Sequence, residues 1–75
     1  MTTLTFDLDA GREHIELNQL LKLAGLCGSG GMGKQLVASG AVSVDGAVEL
    51  RKTAKIRAGQ VVTFEGVTVQ VRAAP

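Results

Sequence analysis

The order of the hydrophobic patterns predicts an α+β fold in which two short helices pack against a small antiparallel sheet built from hairpins. Apolar and polar residues alternate near the N-terminus, apolar residues recur at helical spacing over residues 15–24, and alternation resumes from residue 41. The chain has 75 residues, and a chain of this size buries only about 60% of its unfolded surface. We therefore expect one domain, residues 1–75, with a modest core.

The first strand and the first helix are separated by a change of period. Residues 3–8 alternate in the manner of a half-buried strand, and residues 9–11 (Asp-Ala-Gly) have the composition of a turn. From Ile15 the apolar residues follow the i, i+3, i+4, i+7 spacing of a helix through Leu17 and Ala24. Gly25 stands where a left-handed residue ends a helix, so we place the C-terminus of the first helix there.

A second helix is predicted to begin after Ser29 and to end at Gly40. Serine is a favoured N-cap because its hydroxyl accepts a hydrogen bond from a free amide of the first turn. The residues expected to face the core are Met32, Leu36 and Val37. Three glycines near its start weaken this helix, since each costs about 1 kcal/mol relative to alanine.

Two hairpins are predicted in the C-terminal half. Asp45-Gly46 separates two alternating stretches that contain Val42, Val44, Val48 and Leu50, and Asp-Gly between such stretches is a strong hairpin signal. Further along, residues 65–66 (Glu-Gly) separate residues 61–64 from residues 67–71. The second hairpin is expected to complete a small sheet.

The composition argues against most catalytic, metal and membrane functions. Cys27 and His14 are the sole cysteine and histidine, too few for an internal disulfide or a zinc site. No stretch approaches the roughly 20 apolar residues of a membrane span, and the N-terminus lacks the pattern of a secretory signal. We therefore expect a cytoplasmic protein that is not an enzyme, with no metal or cofactor.

Residues 28–34 match the G-x-x-x-x-G-K part of a phosphate-binding loop. A nucleotide site is rejected because Gln35 stands where a serine or threonine would hold magnesium, and because a helix rather than a strand precedes the motif. The start of the second helix can still seat an anion on its free amides, with Lys34 nearby. Alternatively, the glycines only let the second helix pack closely on its neighbour.

The charge is unevenly distributed along the chain. Residues 1–16 are acidic, whereas residues 17–75 carry seven basic and three acidic side chains. Within residues 49–57, four cations accompany Glu49, a pattern typical either of a solvated surface or of one that faces an anion.

The chain has no Trp or Tyr, and Phe6 and Phe64 lie on the apolar side of predicted strands. Any nucleic acid would therefore be held through phosphates, helix-end amides and shape, which favours folded or double-helical RNA.

Residues 29–46 resemble the alpha-L RNA-binding motif, the domain type of small-subunit ribosomal protein S4. Over residues 14–64 the chain is more closely similar to the compact stand-alone branch of this family, the YbcJ-like proteins. The pattern departs from the wider family at Gly30, where many domains carry arginine, at Gly33, where they carry alanine, and at Asp45, where asparagine is common. The first departure removes a bidentate phosphate donor, and the third adds a negative charge near the expected surface.

The resemblance implies that RNA is held where the start of the second helix meets the adjacent hairpin. We expect a binding module for structured or ribosomal RNA, with Lys22 as a less strongly indicated contact. The alternative is a protein-interaction module that uses the same basic patch or the last strand, residues 67–71; the oligomeric state is left open. The predicted RNA-binding residues are Ser29, Gly30, Gly31, Lys34, Arg51, Lys52, Lys55 and Arg57.

Overall fold

The computed structural model describes residues 2–74 and has the predicted α+β class, with two helices and a mixed sheet. The helices lie between the second and third strands of the chain. Neither helix within residues 2–74 has the length and apolar character needed to cross a membrane. The elements are β1 (Thr2–Asp7), β2 (His14–Glu16), α1 (Leu17–Leu23), α2 (Gly30–Ala38), β3 (Val42–Val44), β4 (Ala47–Val48), β5 (Lys55–Arg57), β6 (Val61–Phe64) and β7 (Val67–Arg72).

The larger sheet has the strand order β1-β7-β6-β3-β4. Its pairings are antiparallel except that β1 runs parallel to β7, with Leu4 opposite Val69 and Phe6 opposite Val71. The expectation of a wholly antiparallel sheet is therefore wrong at this one pairing. Antiparallel order is favoured by short turns between neighbours, whereas nearly the whole chain separates β1 from β7.

The place of β7 also corrects one part of the protein-interaction alternative. That alternative let the last strand, residues 67–71, add to the sheet of another protein. In the structure β7 is bonded to β1 on one side and to β6 on the other. Both of its hydrogen-bonding edges are thus occupied, and the last strand has no edge to offer.

Both predicted hairpin turns are present. Asp45 and Gly46 have φ values of 51° and 86°, and Glu65 and Gly66 have φ values of 47° and 80°. Positive φ at both central residues is the condition for the two-residue turns that match the twist of paired strands. The first hairpin is shorter than predicted, because β4 covers only Ala47–Val48.

A second, two-stranded sheet pairs β2 with β5 and does not follow from the sequence pattern. Ile15 lies opposite Ile56, and both side chains are buried in the core. The pattern places Ile15 at the start of the helical stripe and shows residues 49–57 as a run of charges. Strands of three residues with one apolar side chain each are too short for alternation to reveal them.

Helix α1 is the centre of the core, and α2 packs across it. Val37 of α2 is fully buried and Leu36 packs against the core, as predicted, but Met32 is 51% exposed. Successive helical residues are about 100° apart, so the face of Gly33 and Val37 that meets α1 turns Met32 outward. The buried apolar residues are Leu8, Ile15, Leu17, Leu20, Leu21, Val37, Val42, Ala54, Ile56, Val62, Phe64, Val69 and Val71.

Candidate functional site

The start of α2 has the predicted serine cap. The Ser29 backbone is extended, and its hydroxyl accepts a hydrogen bond from the Met32 amide at 3.1 Å. The Ser29 carbonyl accepts from the Gly33 amide at 3.0 Å. The amides of Gly30 and Gly31 precede Gly33, whose amide is the first to donate within the helix, and neither has a hydrogen-bond acceptor within residues 2–74. Two N–H groups are therefore free at this helix end.

The three glycines at this helix end have different surroundings. A Cβ atom at Gly33 would lie 2.6 Å from the Asn18 carbonyl oxygen, closer than packing allows, so Gly33 permits the close approach of α2 to α1. A Cβ at Gly30 would meet the flexible Gln19 side chain at 3.0 Å, and one at Gly31 would meet nothing closer than 3.8 Å. The packing explanation thus accounts for Gly33, whereas Gly31 has open space around it.

Asn18 lies beneath this helix end, and the sequence analysis does not single it out. Its side chain is only 3% exposed, and its Nδ2 atom donates to the Gly30 carbonyl over 3.4 Å. Its Oδ1 atom is buried without a hydrogen-bond partner in residues 2–74. In the sequence, the sign of its role is that this polar residue stands between the core residues Leu17 and Leu20, although polar residues usually face solvent.

Arg51, one of the predicted phosphate contacts, is already paired with Glu49. Its Nε and Nη2 atoms donate to the two carboxylate oxygens at 3.1 and 2.8 Å, and its backbone amide donates at 3.0 Å. Hydrogen bonds from Arg51 lower the pKa of Glu49 to about 2, and the carboxylate raises the pKa of Arg51. The Arg51 side chain remains 80% exposed, so its remaining N–H groups face solvent beside a negative charge.

Lys55 and Arg57 lie on the outer face of the two-stranded sheet. Each is exposed, while Ile56 between them points into the core. The register places Glu16 opposite Lys55 and His14 opposite Arg57. Within residues 2–74 the ion pairs closer than 4.0 Å are Glu49–Arg51 and Asp7–Arg72. The charges of Lys34, Lys52, Lys55 and Arg57 are therefore not neutralised by a contacting carboxylate in that part of the chain.

The N-terminal end of α1 connects the two predicted parts of the site. The Leu17 amide donates to the Ala54 carbonyl at 2.8 Å, and Gly33 packs on the next residue, Asn18. With a Cα spacing of about 3.8 Å, these contacts put Gly33 and the Ala54 carbonyl within roughly 13 Å of each other. The start of α2 and residues 51–57 thus both contact the first two residues of α1, Leu17 and Asn18.

Lys22 is in the last turn of α1. It stands four residues after Asn18, about 6 Å along the helix axis at 1.5 Å per residue, and residues four apart share a helix face. A shallow open depression lies beside the segment that leads into β5, and it is lined by Arg51, Thr53, Ala54 and Lys55. Within residues 2–74 there is no group of three or more His, Cys, Asp or Glu side chains that could hold a metal ion.

Asp45 proves to be a structural anchor of the hairpin. Its carboxylate accepts hydrogen bonds from the Val61 amide at 2.9 Å and from the Gln60 side chain at 3.3 Å. The same Gln60 side chain accepts from the Arg57 amide at 2.7 Å. The negative charge expected near the basic residues is therefore used to fix the turn between β5 and β6.

Comparisons with known proteins agree with the resemblance predicted from the sequence. A family model described as "S4 domain" matches residues 7–72. YbcJ of Escherichia coli (strain K12) is 57% identical over 58 residues, which cover 77% of this chain and 83% of that protein. YbcJ of Shigella flexneri matches with the same identity and coverage.

The fold agrees with a solved structure of the same kind of protein. The solution structure of Escherichia coli YbcJ superposes with a TM-score of 0.73 and 51% sequence identity, covering 97% of this chain and 91% of that one. That structure is described as revealing an "alfaL" motif involved in RNA-binding. The predicted fold and family resemblance are thereby confirmed.

Proposed function

Because the chain belongs to the S4 domain family, we propose that it binds structured RNA, without catalysing a reaction, through one basic surface. Support comes from the similar YbcJ structure, whose motif is described as involved in RNA-binding. We place the protein in the cytoplasm and propose ribosomal or another folded RNA as its partner. The basic surface comprises Ser29, Gly30, Gly31, Lys34, Arg51, Lys52, Lys55 and Arg57.

The observation that carries this proposal is that two candidate phosphate-binding elements both contact the N-terminal end of α1. The start of α2 offers two free amides, and the positive end of the helix dipole there is favourable for anions. At three of their four cationic positions, residues 51–57 have no contacting carboxylate within the described residues 2–74. Gly33 of the first element and the Ala54 carbonyl of the second lie within roughly 13 Å of each other, a span that one folded RNA can bridge. One polyanion can therefore contact both elements.

Structured RNA is favoured because the described surface offers little for unpaired bases to stack on. Phe64 is buried and Phe6 is half-buried against the core. Proteins that hold single strands generally stack bases on exposed aromatic rings. Contacts through lysine, arginine and helix amides instead read the position of phosphates, which a folded RNA fixes in space.

The direct test is a fluorescence-anisotropy titration of the purified protein with a folded RNA hairpin over a range of salt concentrations. A DNA duplex of the same sequence and an unstructured RNA of the same length serve as matched ligands. About four phosphate contacts predict that log K falls with log salt at a slope near −3 to −4. Absence of binding at low salt would contradict the proposal and favour an acidic protein partner for the same surface.

A further inference from the structure

Strand β1 forms an outer edge of the five-stranded sheet, with β7 on its inner side. The Thr2 amide donates to Gly66 and the Leu8 amide donates to Arg72, so both point toward the β7 side. Alternate residues of a strand point their backbone groups to opposite sides. Thr3, Thr5 and Asp7 therefore direct their N–H and C=O groups away from the sheet.

This edge lacks the features that usually prevent strand addition. Natural edges are protected by lysine, proline, bulges or very short strands. The β1–β7 register runs without interruption over six residues, and β1 contains neither lysine nor proline. Its one charged side chain, Asp7, is paired with Arg72 at 3.0 Å. A second chain approaching β1 would meet no unpaired charge.

The opposite edge of the same sheet differs in both respects. Strand β4 has two residues, and charged side chains follow it at Glu49, Arg51 and Lys52. That edge is short and charged, whereas β1 is longer and its one charge, on Asp7, is paired with Arg72. The contrast makes β1 the edge of this sheet on which another strand can form a ladder.

We propose that a second copy of this chain pairs with β1 in antiparallel orientation, about a two-fold axis through Thr5. Paired residues lie on the same face of a sheet. If the core faces of the two sheets are to lie on one side, an odd-numbered residue of β1 must pair with an odd-numbered residue of the second copy. An axis at Thr5 pairs all three residues whose backbone groups point away from β7: Thr5 meets its own copy, and Thr3 meets the second copy's Asp7.

The same register makes the apolar side chains complementary. Leu4 falls opposite the second copy's Phe6, and the arrangement repeats on the other side of the axis. Both residues are only partly buried against the core of their own chain. They would occupy non-hydrogen-bonded positions, where opposing side chains lie closest, and aromatic–aliphatic cross-strand pairs stabilise a sheet. The pairing covers apolar surface that one chain leaves half-exposed.

The resulting dimer would join two five-stranded sheets and leave both basic surfaces in place. No residue of the basic surface lies on β1, so the pairing does not depend on the proposed function. An interface of one strand per chain belongs to the weak class, below about 1,200 Å². We therefore expect reversible association at high protein concentration. On RNA with two sites, the paired basic surfaces would raise the apparent affinity by linkage.

The test combines sedimentation equilibrium with residue-resolved amide hydrogen exchange over a concentration series of the full chain. The parent is expected to dimerise as concentration rises, with the Thr3, Thr5 and Asp7 amides gaining protection together. Thr5→Lys opposes two lysines at the axis and should weaken dimerisation roughly tenfold or more, since opposed like charges are strongly unfavourable. Ala47→Lys adds the same charge at the β4 edge and should dimerise like the parent.

A second variant keeps the test decisive if lysine disturbs the monomer. Thr5→Pro removes an N–H that β7 does not use, and proline is tolerated on edge strands; circular dichroism checks that the fold is retained. A parent that stays monomeric at millimolar concentration would overturn the proposal. So would a Thr5→Lys dimer as strong as the parent's, or protection confined to residues outside β1, which would indicate another interface.

Discussion

Gly33 rests on the backbone of Asn18, and this contact sets the distance between the two helices. The gap between them leaves no room for a methyl group, because a Cβ at Gly33 would lie 2.6 Å from the Asn18 carbonyl oxygen and 3.1 Å from its Cα atom. Those atoms belong to a helix backbone and cannot move as the end of a side chain can. The contact therefore holds the free amides of α2 above the start of α1.

Gly33→Ala is expected to destabilise the fold by about 1–3 kcal/mol, the usual cost of forcing atoms into a packed core. The measurement is urea-induced unfolding followed by circular dichroism. Gly31→Ala is the matched control, since its Cβ would meet nothing closer than 3.8 Å. It should be neutral or slightly stabilising, because alanine has the higher helix propensity. Equal stability of Gly33→Ala and the parent would show that the helices can separate without cost.

Glu49→Gln should remove one component of the pH dependence of stability. The pKa of Glu49 is lowered from 4.5 to about 2 in the folded protein, chiefly by the Arg51 hydrogen bond. A lowered carboxyl pKa stabilises the fold at pH above 4.5, and this contribution disappears as the pH falls toward 2. Urea unfolding at several pH values should therefore show the parent's advantage over Glu49→Gln narrowing in acid. A constant difference would mean that the ion pair is absent in solution.

The Glu49–Arg51 pair also makes a distinct prediction for RNA affinity. Arg51 shares its charge with a carboxylate at 2.8 Å, whereas Lys55 has no carboxylate within 4.0 Å in residues 2–74. Arg51→Ala should therefore weaken RNA binding less than Lys55→Ala does, and Glu49→Gln should strengthen it. Anisotropy titrations at one low salt concentration compare the three variants. A larger loss for Arg51→Ala would indicate that Arg51 leaves Glu49 when RNA binds.

Gly31→Val tests the free amides at the start of α2. The position has open space, so the fold should tolerate the side chain, while the added bulk lies beside the amides proposed to meet a phosphate. We expect RNA affinity to fall by roughly tenfold, equivalent to the loss of about 1.4 kcal/mol. Gln35→Val places the same residue on an exposed later position of α2 and controls for its helix propensity. Parent-like RNA binding by Gly31→Val would refute the role of the amides.

The sequence predicts best those features that depend on a few neighbouring residues. The Ser29 cap and the Asp45-Gly46 turn follow from local backbone chemistry, and both are present. The β2–β5 sheet and the parallel β1–β7 pairing join segments far apart in the chain, so no local pattern reveals them. The prediction that Met32 faces the core is wrong because a helical period cannot show that Gly33 makes the closest helix contact.

The same distinction between local and long-range features holds for the candidate site. Composition and motif are enough to find the basic residues and the helix start. The contacts that both make with Leu17 and Asn18 depend on the fold and cannot be found that way. The pairing of Arg51 with Glu49 depends on the loop conformation after β4. Sequence charge alone counts Arg51 and Lys55 as equals, and the structure distinguishes them.

The most direct test of the proposed basic surface compares the salt dependence of folded-RNA binding by the parent, Lys55→Ala and Arg72→Ala. Both variants remove one exposed positive charge, but Arg72 is not part of that surface and is paired with Asp7 at 3.0 Å. We predict a parent slope near −3 to −4, a slope flatter by about 1 for Lys55→Ala, and an unchanged slope for Arg72→Ala. Equal flattening by both variants, or parent binding that does not respond to salt, would contradict the account.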